Sequence, residues 1–284
     1  MTTAVVTKAR TIVHRTRGST QGPITRLVSP GDLGQLLKPF VFLDLIRFTV
    51  TADAKGFGIH PHSGIATLTF MLEGDGGYED TTGKEGVLLA GGVEWMRAGN
   101  GVWHTGGPVP GVTVAGSSVL GFQLWVALPA AEENAPAESI YLAPSDVQQE
   151  GPVRVLLGRY GAAQSVIPAP ASMNYLAVRL ADGERWRYVP PAGHAVAWVA
   201  VSSGRLDAGG PVDTGELAVF DDSGSAIDFV ARGETAFVLG SAVKHPHDLV
   251  MGYYSVHTSP AALAQGEAEI ARIGLRLRQE GRLR

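Results

Sequence analysis

The stretch of sequence that decides the fold is residues 57–107, FGIHPHSGIATLTFMLEGDGGYEDTTGKEGVLLAGGVEWMRAGNGVWHTGG. Short apolar, β-prone runs such as Ile65–Leu72 alternate here with turn-forming clusters such as Glu73–Gly77. Runs of this kind, bounded by Gly, Asn or Pro and repeated roughly every 8–12 residues, are typical of a β-sandwich or β-barrel. The segment therefore predicts short strands joined by tight turns.

The composition of the whole chain supports an all-β fold. The 284 residues include 37 Gly and 17 Pro, a content that favours many short strands and is hard to reconcile with long helices. Hydrophobic residues make up 45% of the chain and charged residues 18%, which excludes a disordered protein. The length suits two domains.

The second half of the chain again consists of short strand-like segments separated by turns, as the first half does. Between the halves, Pro129–Pro136 is polar, Ala-rich and flanked by prolines, so it is the best linker candidate. Beyond Ser259 and Pro260, which suit an N-cap and a first helical position, apolar residues recur at the spacing of one helix face. The expected segments are a β-domain at 1–134, a second β-domain at 135–259 and a short C-terminal helix at 260–284.

Composition also excludes several classes of protein. The chain has no Cys, so any metal must be held by His, Asp, Glu or backbone oxygen. Its net charge of -4 argues against direct binding of nucleic acid. The first ten residues lack the apolar region of a signal peptide, and no apolar run is long enough to suggest a membrane span. We therefore expect a cytoplasmic protein with no membrane partner.

Three histidines form the sharpest constellation in the sequence. His60 and His62 are two residues apart, so in a strand both imidazoles project to the same face. His104 follows the Gly-rich turn Gly99–Gly101. Three neutral imidazoles that leave coordination positions open suit a divalent first-row metal such as Fe, Ni, Cu, Mn or Zn. The alternative is that His60 and His62 are rim residues beside a proline turn.

Residues 57–107 resemble the signature region of the pirin family, whose members are bicupins. The matching elements are His60-Pro61-His62, a strand ending in Leu72-Glu73-Gly74, a small loop with Gly83, the run Gly92-x-x-Trp95-Met96-x-Ala98-Gly99-x-Gly101, and His104. The second half resembles the family more loosely, at Pro191-x-Gly193-His194 and Gly215–Val219. The resemblance implies two cupin-type β-barrels with one metal, usually iron, in the N-terminal barrel.

The chain departs from the family pattern at two acidic positions. The resemblance assigns the metal to the three histidines named above and to a Glu two residues after the third, where this chain has Gly106. A second acidic position, four residues after the second His, holds Ala66. Glu94 stands where relatives usually carry a neutral amide, and it is either a displaced base or, more simply, a strand-surface residue. The resemblance thus implies a quercetin 2,3-dioxygenase type of activity that is altered or lost.

Five other histidines need separate interpretations. His245 and His247 repeat the His-Pro-His pattern, with His257 ten residues farther on, and could form a second metal site. The simpler interpretation places them in a C-terminal extension after the second barrel. His194 is expected to be a turn or packing residue, and His14 a surface residue of a strand.

Three functional hypotheses follow from these observations. The first is a metal-dependent dioxygenase, an oxidoreductase acting on a small aromatic or flavonoid-like ligand. The second is a non-catalytic regulatory module whose metal state alters a surface that docks another protein. The third is a metal-free barrel that binds an organic ligand. The expected cofactor is one divalent transition metal, with Fe as the first choice and Ni, Cu, Mn or Zn as alternatives.

Overall fold

The structure of the protein is a computed structural model that describes residues 10–54, 56–108 and 113–283. These residues form two compact units. The larger unit contains residues 19–147 and 245–283, and the smaller unit contains residues 10–18 and 148–244. The segment considered for a signal region lies outside the described residues except for Arg10.

Short strands account for most of both units. In the first half of the chain they are β1 (Ile12–Thr16), β2 (Ser19–Gln21), β3 (Ile24–Val28), β4 (Phe40–Thr49), β5 (Phe57–His62), β6 (Ile65–Glu73), β7 (Gly76–Asp80), β8 (Glu85–Leu88), β9 (Val93–Arg97), β10 (Val102–Gly107), β11 (Ser118–Ala127) and β12 (Glu138–Leu142). In the second half they are β13 (Gln149–Glu150), β14 (Val153–Leu157), β15 (Arg159–Tyr160), β16 (Ala163–Gln164), β17 (Met173–Leu180), β18 (Arg185–Tyr188), β19 (Val196–Asp207), β20 (Pro211–Asp213), β21 (Leu217–Phe220), β22 (Ile227–Ala242), β23 (Val250–Gly252) and β24 (Ser255–His257). The helices are α1 (Leu33–Leu37) and α2 (Pro260–Gln279).

The larger unit contains two main antiparallel sheets. The seven-stranded sheet has the order β12-β9-β6-β11-β4-β3-β2, and the four-stranded sheet has the order β5-β10-β7-β8. Successive side chains of β11 face opposite sides of the seven-stranded sheet, one side towards the core and the other towards a cavity. Phe122 and Leu124 are fully buried, whereas Gln123 and Trp125, on the opposite face, line a cavity described below.

The smaller unit is built on one nine-stranded antiparallel sheet. Its main path is β1-β21-β19-β22-β17-β14-β13, with β18 paired to β22 and β20 paired to β19. Buried apolar side chains fill its core, including an aromatic cluster in which the rings of Trp186 and Phe229 stack with centroids 5.4 Å apart. Aromatic pairs of this kind bury a large apolar area and add directional contact energy.

Helix α2 begins where the sequence predicts. The hydroxyl of Ser259 accepts a hydrogen bond from the amide of Ala262, and Pro260 occupies the first turn. One face of the helix buries Ile270, Ile273 and Leu277. Among the helices of the described residues, none is long and apolar enough to cross a membrane.

The two units are interleaved along the chain, unlike the consecutive segments expected from the sequence. Strand β1 pairs with β21, which assigns residues 10–18 to the smaller unit. Helix α2 and the hairpin β23–β24 contact each other, and α2 also contacts β10, which assigns residues 245–283 to the larger unit. The difference arises because the pairing of β1 with β21 and the packing of α2 against β10 are long-range contacts, which local composition does not encode. His14 is exposed on β1, as predicted.

Candidate metal centre and ligand cavity

Two neighbouring strands bring the three predicted histidines together. Strand β5 carries His60 and His62, and β10 pairs antiparallel with it so that His104 lies directly opposite His60. Nε2 of His104 lies 3.0 Å from Nε2 of His60 and 3.1 Å from Nε2 of His62. The three ligand atoms all lie within 4.8 Å of one another. We call these three side chains the histidine cluster.

Backbone carbonyls fix two of the three imidazole rings. Nδ1–H of His60 donates to the carbonyl oxygen of Gly58 at 2.8 Å, and Nδ1–H of His62 donates to that of Tyr254 at 3.0 Å. Because a carbonyl oxygen can only accept, both rings carry a proton on Nδ1. Bonds of this type orient imidazole ligands in metal sites.

Burial keeps these two imidazoles neutral. Desolvation, followed by the charge of His104, lowers the pKa of His60 to about 4. Desolvation, with His104 and His60 as further causes, holds the pKa of His62 well below its usual value. Both Nε2 atoms that face His104 are therefore unprotonated acceptors near neutral pH.

The convergence of three Nε2 atoms fits a cation better than a hydrogen-bonded network. Nε2 of His104 carries at most one proton, which can serve only one of the two neighbouring Nε2 acceptors at a time. Metal–nitrogen bonds of about 2.1 Å place two ligands at right angles roughly 3.0 Å apart, so the two Nε2–Nε2 distances are compatible with ligands of one metal. The residues present thus fit a divalent first-row metal.

Glu94 lies beside the histidine cluster, and the interpretation of it as a strand-surface residue is wrong. It is only 6% exposed, and its Oε1 lies 3.8 Å from Nδ1 of His104. Burial raises the pKa of Glu94, but His104, followed by the hydroxyls of Thr69 and Tyr141, outweighs burial, so the pKa is lowered overall. A buried carboxylate therefore contacts the cluster from the Nδ1 side of His104.

The hydroxyl of Tyr141 lies between two buried carboxylates. It is 2.9 Å from Oδ2 of Asp80 and 3.3 Å from Oε1 of Glu94, and one hydroxyl proton can satisfy only one of them at a time. Burial and the two negative charges raise the pKa of Tyr141, so the phenol stays protonated. Within the described ranges, neither carboxylate forms an ion pair with Lys or Arg. A metal cation in the cluster would balance this negative charge.

The position where the family pattern expects a carboxylate faces the cavity but carries no side chain. The register between β10 and β7 is regular from His104 to Gly106, so both residues share one face of the strand. A Cβ at residue 106 would lie 3.2 Å from the carbonyl oxygen of Gly77, a tight contact that a small shift relieves. Ala66, at the second acidic position, is fully buried in β6.

A cavity of about 1260 Å³ lies beside the histidine cluster within the larger unit. Its wall includes His60, His104, Glu94 and Gly106. The remaining wall mixes aromatic and polar side chains, as in most pockets that bind small molecules. The volume is large enough for a ligand of two or three rings.

A stack of flat groups forms part of the cavity wall. The rings of Phe42 and Trp125 are nearly parallel, with centroids 4.0 Å apart, and the edge of Trp125 contacts His62. The guanidinium group of Arg26 lies 3.9 Å above the centroid of Phe42 and is held by the carboxylate of Asp44. The stack therefore connects a charged pair at one end to the histidine cluster at the other.

The C-terminal hairpin β23–β24 completes the surroundings of the cluster. Its turn carries Tyr254, whose carbonyl oxygen holds His62 and whose ring centroid lies 5.7 Å from that of His60. Tyr254 has φ of 53°, a left-handed conformation that costs a bulky residue about 1 kcal/mol or more. No local pattern predicts this contact, because Tyr254 and His62 are 192 residues apart in the chain.

A buried network fastens this hairpin to the barrel. Nδ1 of His257 lies 3.2 Å from Oε2 of Glu133, and its Nε2 lies 3.0 Å from Oγ of Ser63. The amide and hydroxyl of Thr258 each donate to Glu133 at 2.6 Å. The order Ser–His–Glu is that of a hydrolase triad, but all three residues are buried, and a Cβ on Gly266 of α2 would lie 2.5 Å from Ser63 Oγ. We call Ser63, Glu133 and His257 the latch, and we assign it a structural role.

The remaining histidines do not join the cluster. His257 belongs to the latch, and His245 is buried with its ring centroid 5.5 Å from that of the exposed His247. In the part of the chain that the structure describes, the histidine cluster is the one group of three side chains that could hold a metal ion. His194 is a buried packing residue, as predicted, and its two ring nitrogens contact serine hydroxyls.

Comparison with known proteins identifies relatives of this chain and solved structures with the same fold. The sequence profile of the family described as Pirin matches residues 22–126. A protein of Pseudomonas aeruginosa named "Putative quercetin 2,3-dioxygenase" is 35% identical over 246 residues, which cover 81% of this chain and 83% of the relative. A crystal structure of quercetin 2,3-dioxygenase from Acinetobacter baumannii superposes with a TM-score of 0.85 at 23% identity, covering 93% of this chain and 98% of that one. The nickel(II) complex of the bacterial pirin YhhW from Escherichia coli superposes with a TM-score of 0.62 at 19% identity, covering 80% and 95%.

The fold is that of a bicupin, with two cupin-type β-barrels and a C-terminal helix, as the sequence predicts. The family profile and the extensive relationship to the Pseudomonas protein then specify the family. This chain belongs to the pirin family.

Proposed function

We propose that the protein is a metal-dependent dioxygenase of the quercetinase type that acts on a small hydroxylated aromatic compound. The observation that supports this best is the cavity of about 1260 Å³, whose wall includes His60, His104 and Glu94. A ligand in the cavity would lie beside two candidate metal ligands and a buried carboxylate. The names of the Pseudomonas and Acinetobacter relatives favour the same substrate class.

The histidine cluster would hold one divalent metal through its three Nε2 atoms. A metal bound there would supply positive charge and open coordination positions for redox chemistry. We propose iron as the first choice. The nickel(II) complex of the Escherichia coli relative keeps nickel as an alternative, together with copper, manganese and zinc.

Residues of the chain itself would position the substrate and handle its proton. Glu94 is buried, borders the cavity and contacts His104, so we assign its carboxylate to accept the proton of a substrate hydroxyl. The Tyr141 hydroxyl orients that carboxylate. The stack of Phe42 and Trp125 offers apolar surface to an aromatic ring in the cavity.

The metal assignment is tested by elemental analysis of untagged protein. We expect about one metal per chain in the wild type and a large loss in His62→Ala. His247→Ala is the matched control, because His247 also follows a His-Pro pair but is exposed and lies outside the cluster. Equal metal content in all three proteins would contradict the three-histidine site.

The dioxygenase assignment is tested by oxygen uptake with the metal-loaded protein. We expect one O₂ to be consumed per flavonol, with both oxygen atoms recovered in the products. The rate should fall about 100-fold or more in Glu94→Gln if the carboxylate accepts a proton. An absence of flavonol-dependent uptake across a broad panel would count against this function.

A non-catalytic, metal-dependent regulatory module is the alternative. The observation that favours it is the lack of a carboxylate at both Gly106 and Ala66, which leaves the metal with imidazole ligands alone. Metal binding without oxygen uptake, together with metal-dependent capture of a protein partner, would support this alternative.

A further inference from the structure

A row of polar side chains crosses the cavity side of the seven-stranded sheet. Its members are successive register partners on β3, β4, β11, β6, β9 and β12: Arg26, Asp44, Gln123, Thr69, Glu94 and Tyr141. Directly opposed residues of antiparallel strands project to the same face of a sheet. All members except Tyr141 border the cavity. We call this set the polar row.

Both ends of the polar row are paired within the protein. At one end, Arg26 donates to both carboxylate oxygens of Asp44, with the second contact at 3.1 Å. At the other end, Glu94 accepts from Tyr141 and contacts His104. Their polar groups are therefore partly satisfied before a ligand enters.

Gln123, in the middle of the polar row, differs from both ends in its hydrogen bonding. It is half-buried on the cavity wall, and its carboxamide makes no hydrogen bond within residues 10–54, 56–108 and 113–283. A primary amide offers two donors and one acceptor. Inside a cavity lined by Phe42 and Trp125, such an amide gains most from a ligand that supplies complementary polar groups.

The strand spacing sets the distance between Gln123 and the reaction site. Neighbouring strands lie about 4.8 Å apart, and Gln123 on β11 is two strands away from Glu94 on β9. The two side chains are thus separated by roughly 10 Å along the sheet. A single catechol ring is too short to reach both positions, whereas a ligand of two or three linked rings is long enough.

We propose that Gln123 is a specificity-determining residue that selects multi-ring polyhydroxylated aromatic compounds over single-ring catechols. The proposal rests on the proposed function, because it takes the cavity beside the histidine cluster to be the substrate site. In this arrangement, a hydroxyl or carbonyl group at the far end of the ligand bonds to the Gln123 amide. The near end then lies beside Glu94 and the histidine cluster.

The test compares two ligands of different length. Anaerobic calorimetry measures the Kd of quercetin and of catechol for metal-loaded wild type and for Gln123→Met, which keeps side-chain size and removes the amide. We expect about a tenfold weaker Kd for quercetin and less than a twofold change for catechol. Gln35→Leu is the matched control, because Gln35 is exposed on α1 and does not border the cavity; it should change neither Kd.

The outcomes separate this proposal from the proposed function. If quercetin binds Gln123→Met as tightly as it binds the wild type, or if both ligands weaken equally, the role of Gln123 is wrong while the cavity remains the substrate site. If neither ligand binds the wild type, both proposals fail. Metal content and the unfolding transition verify that the variant is folded. Gln123→Asn, which keeps the amide but shortens the side chain, should weaken quercetin binding by a smaller factor.

Discussion

At the scale of single residues, the carboxylate nearest the histidine cluster is not at the ligand position that the family pattern expects. Gly106 leaves the cavity side of β10 without a carboxylate, while Glu94 supplies a buried carboxylate beside Nδ1 of His104 and the buried Asp80 is the register partner of His104 on β7. Charge in this position can orient His104 and balance a cation without occupying a coordination position. Two substitutions distinguish a carboxylate that binds the metal directly from one that acts through His104.

Restoring a carboxylate at position 106 should strengthen metal binding. In Gly106→Glu, the new side chain would project on the same face as His104 and supply a charged ligand. We expect metal affinity to rise about tenfold or more, measured by competition with a chelator. Gly106→Gln is the control of equal size, and it must meet the same contact with Gly77. An equal loss of affinity in both variants would show that the position cannot reach the metal.

Removing the charge of Glu94 should weaken metal binding without unfolding the barrel. In Glu94→Gln, the amide oxygen can still accept from Tyr141, but the charge beside His104 is lost. Substituting a group that orients a metal-binding imidazole costs about 10–100-fold in metal affinity, and the metal dissociation rate measures the loss. Glu138→Gln is the control on the neighbouring strand, where Glu138 pairs with Arg97. A comparable loss in the control would refute the specific role of Glu94.

At the scale of elements, the hairpin β23–β24 and the latch hold one imidazole of the cluster. Glu133→Gln removes the carboxylate that accepts from Thr258 and faces Nδ1 of His257, and weakening hydrogen bonds to a buried charged acceptor costs about 1.5–3 kcal/mol. With the chain loaded with Co(II), the exchangeable Nδ1 proton of His62 should then exchange faster, because its acceptor is Tyr254 of this hairpin. The Nδ1 proton of His60, which is bonded to Gly58 on its own strand, should be unaffected.

Paramagnetic proton NMR measures both Nδ1 signals in the same sample. Glu132→Gln is the control, since Glu132 is the neighbour of Glu133 but lies outside the latch. Equal acceleration of both protons in Glu133→Gln would indicate general loosening of the barrel rather than release of the hairpin.

Elements with local signals could be predicted from the sequence. The two-residue spacing of His60 and His62 indicates one face of a strand, and Ser259 with Pro260 marks the start of α2. The position of Glu94 beside His104 could not be predicted this way, because Glu94 lies on β9 of the seven-stranded sheet and His104 on β10 of the four-stranded sheet, so their contact depends on how the two sheets pack. The latch joins residues from distant parts of the chain, and such contacts depend on the tertiary fold rather than on a local pattern.

At the scale of the whole molecule, two barrels of similar composition have different interiors. The core of the smaller unit is filled by apolar side chains, including Trp186 and Phe229, whereas the larger unit keeps a cavity of about 1260 Å³. Alternating apolar and polar residues predict strands in both halves equally well. Which inward positions carry bulky side chains becomes clear only when the register is known, so the size and the lining of the cavity do not follow from the sequence.

Buried neutral histidine also makes the stability of the chain depend on pH. Burial lowers the pKa of His194, whose ring nitrogens lie 2.9 Å from Ser172 Oγ and 2.8 Å from Ser241 Oγ. An unfolded His titrates near about 6.5, so below that pH the unfolded chain takes up a proton that the folded chain does not. The free energy of unfolding must therefore fall as the pH falls through this range.

Replacing His194 should reduce this dependence. In His194→Gln, the amide can still bond to the serine hydroxyls, and the loss of stability between pH 7.5 and 5.5 should be smaller by up to about 1.4 kcal/mol than in the wild type. Urea unfolding at both pH values, with metal removed, measures the difference. His14→Gln is the control, because His14 is exposed on β1 and its replacement should leave the wild-type dependence in place. If His194→Gln loses as much stability as the wild type on acidification, the folded chain binds that proton as readily as the unfolded chain, and burial of His194 does not contribute to the pH dependence.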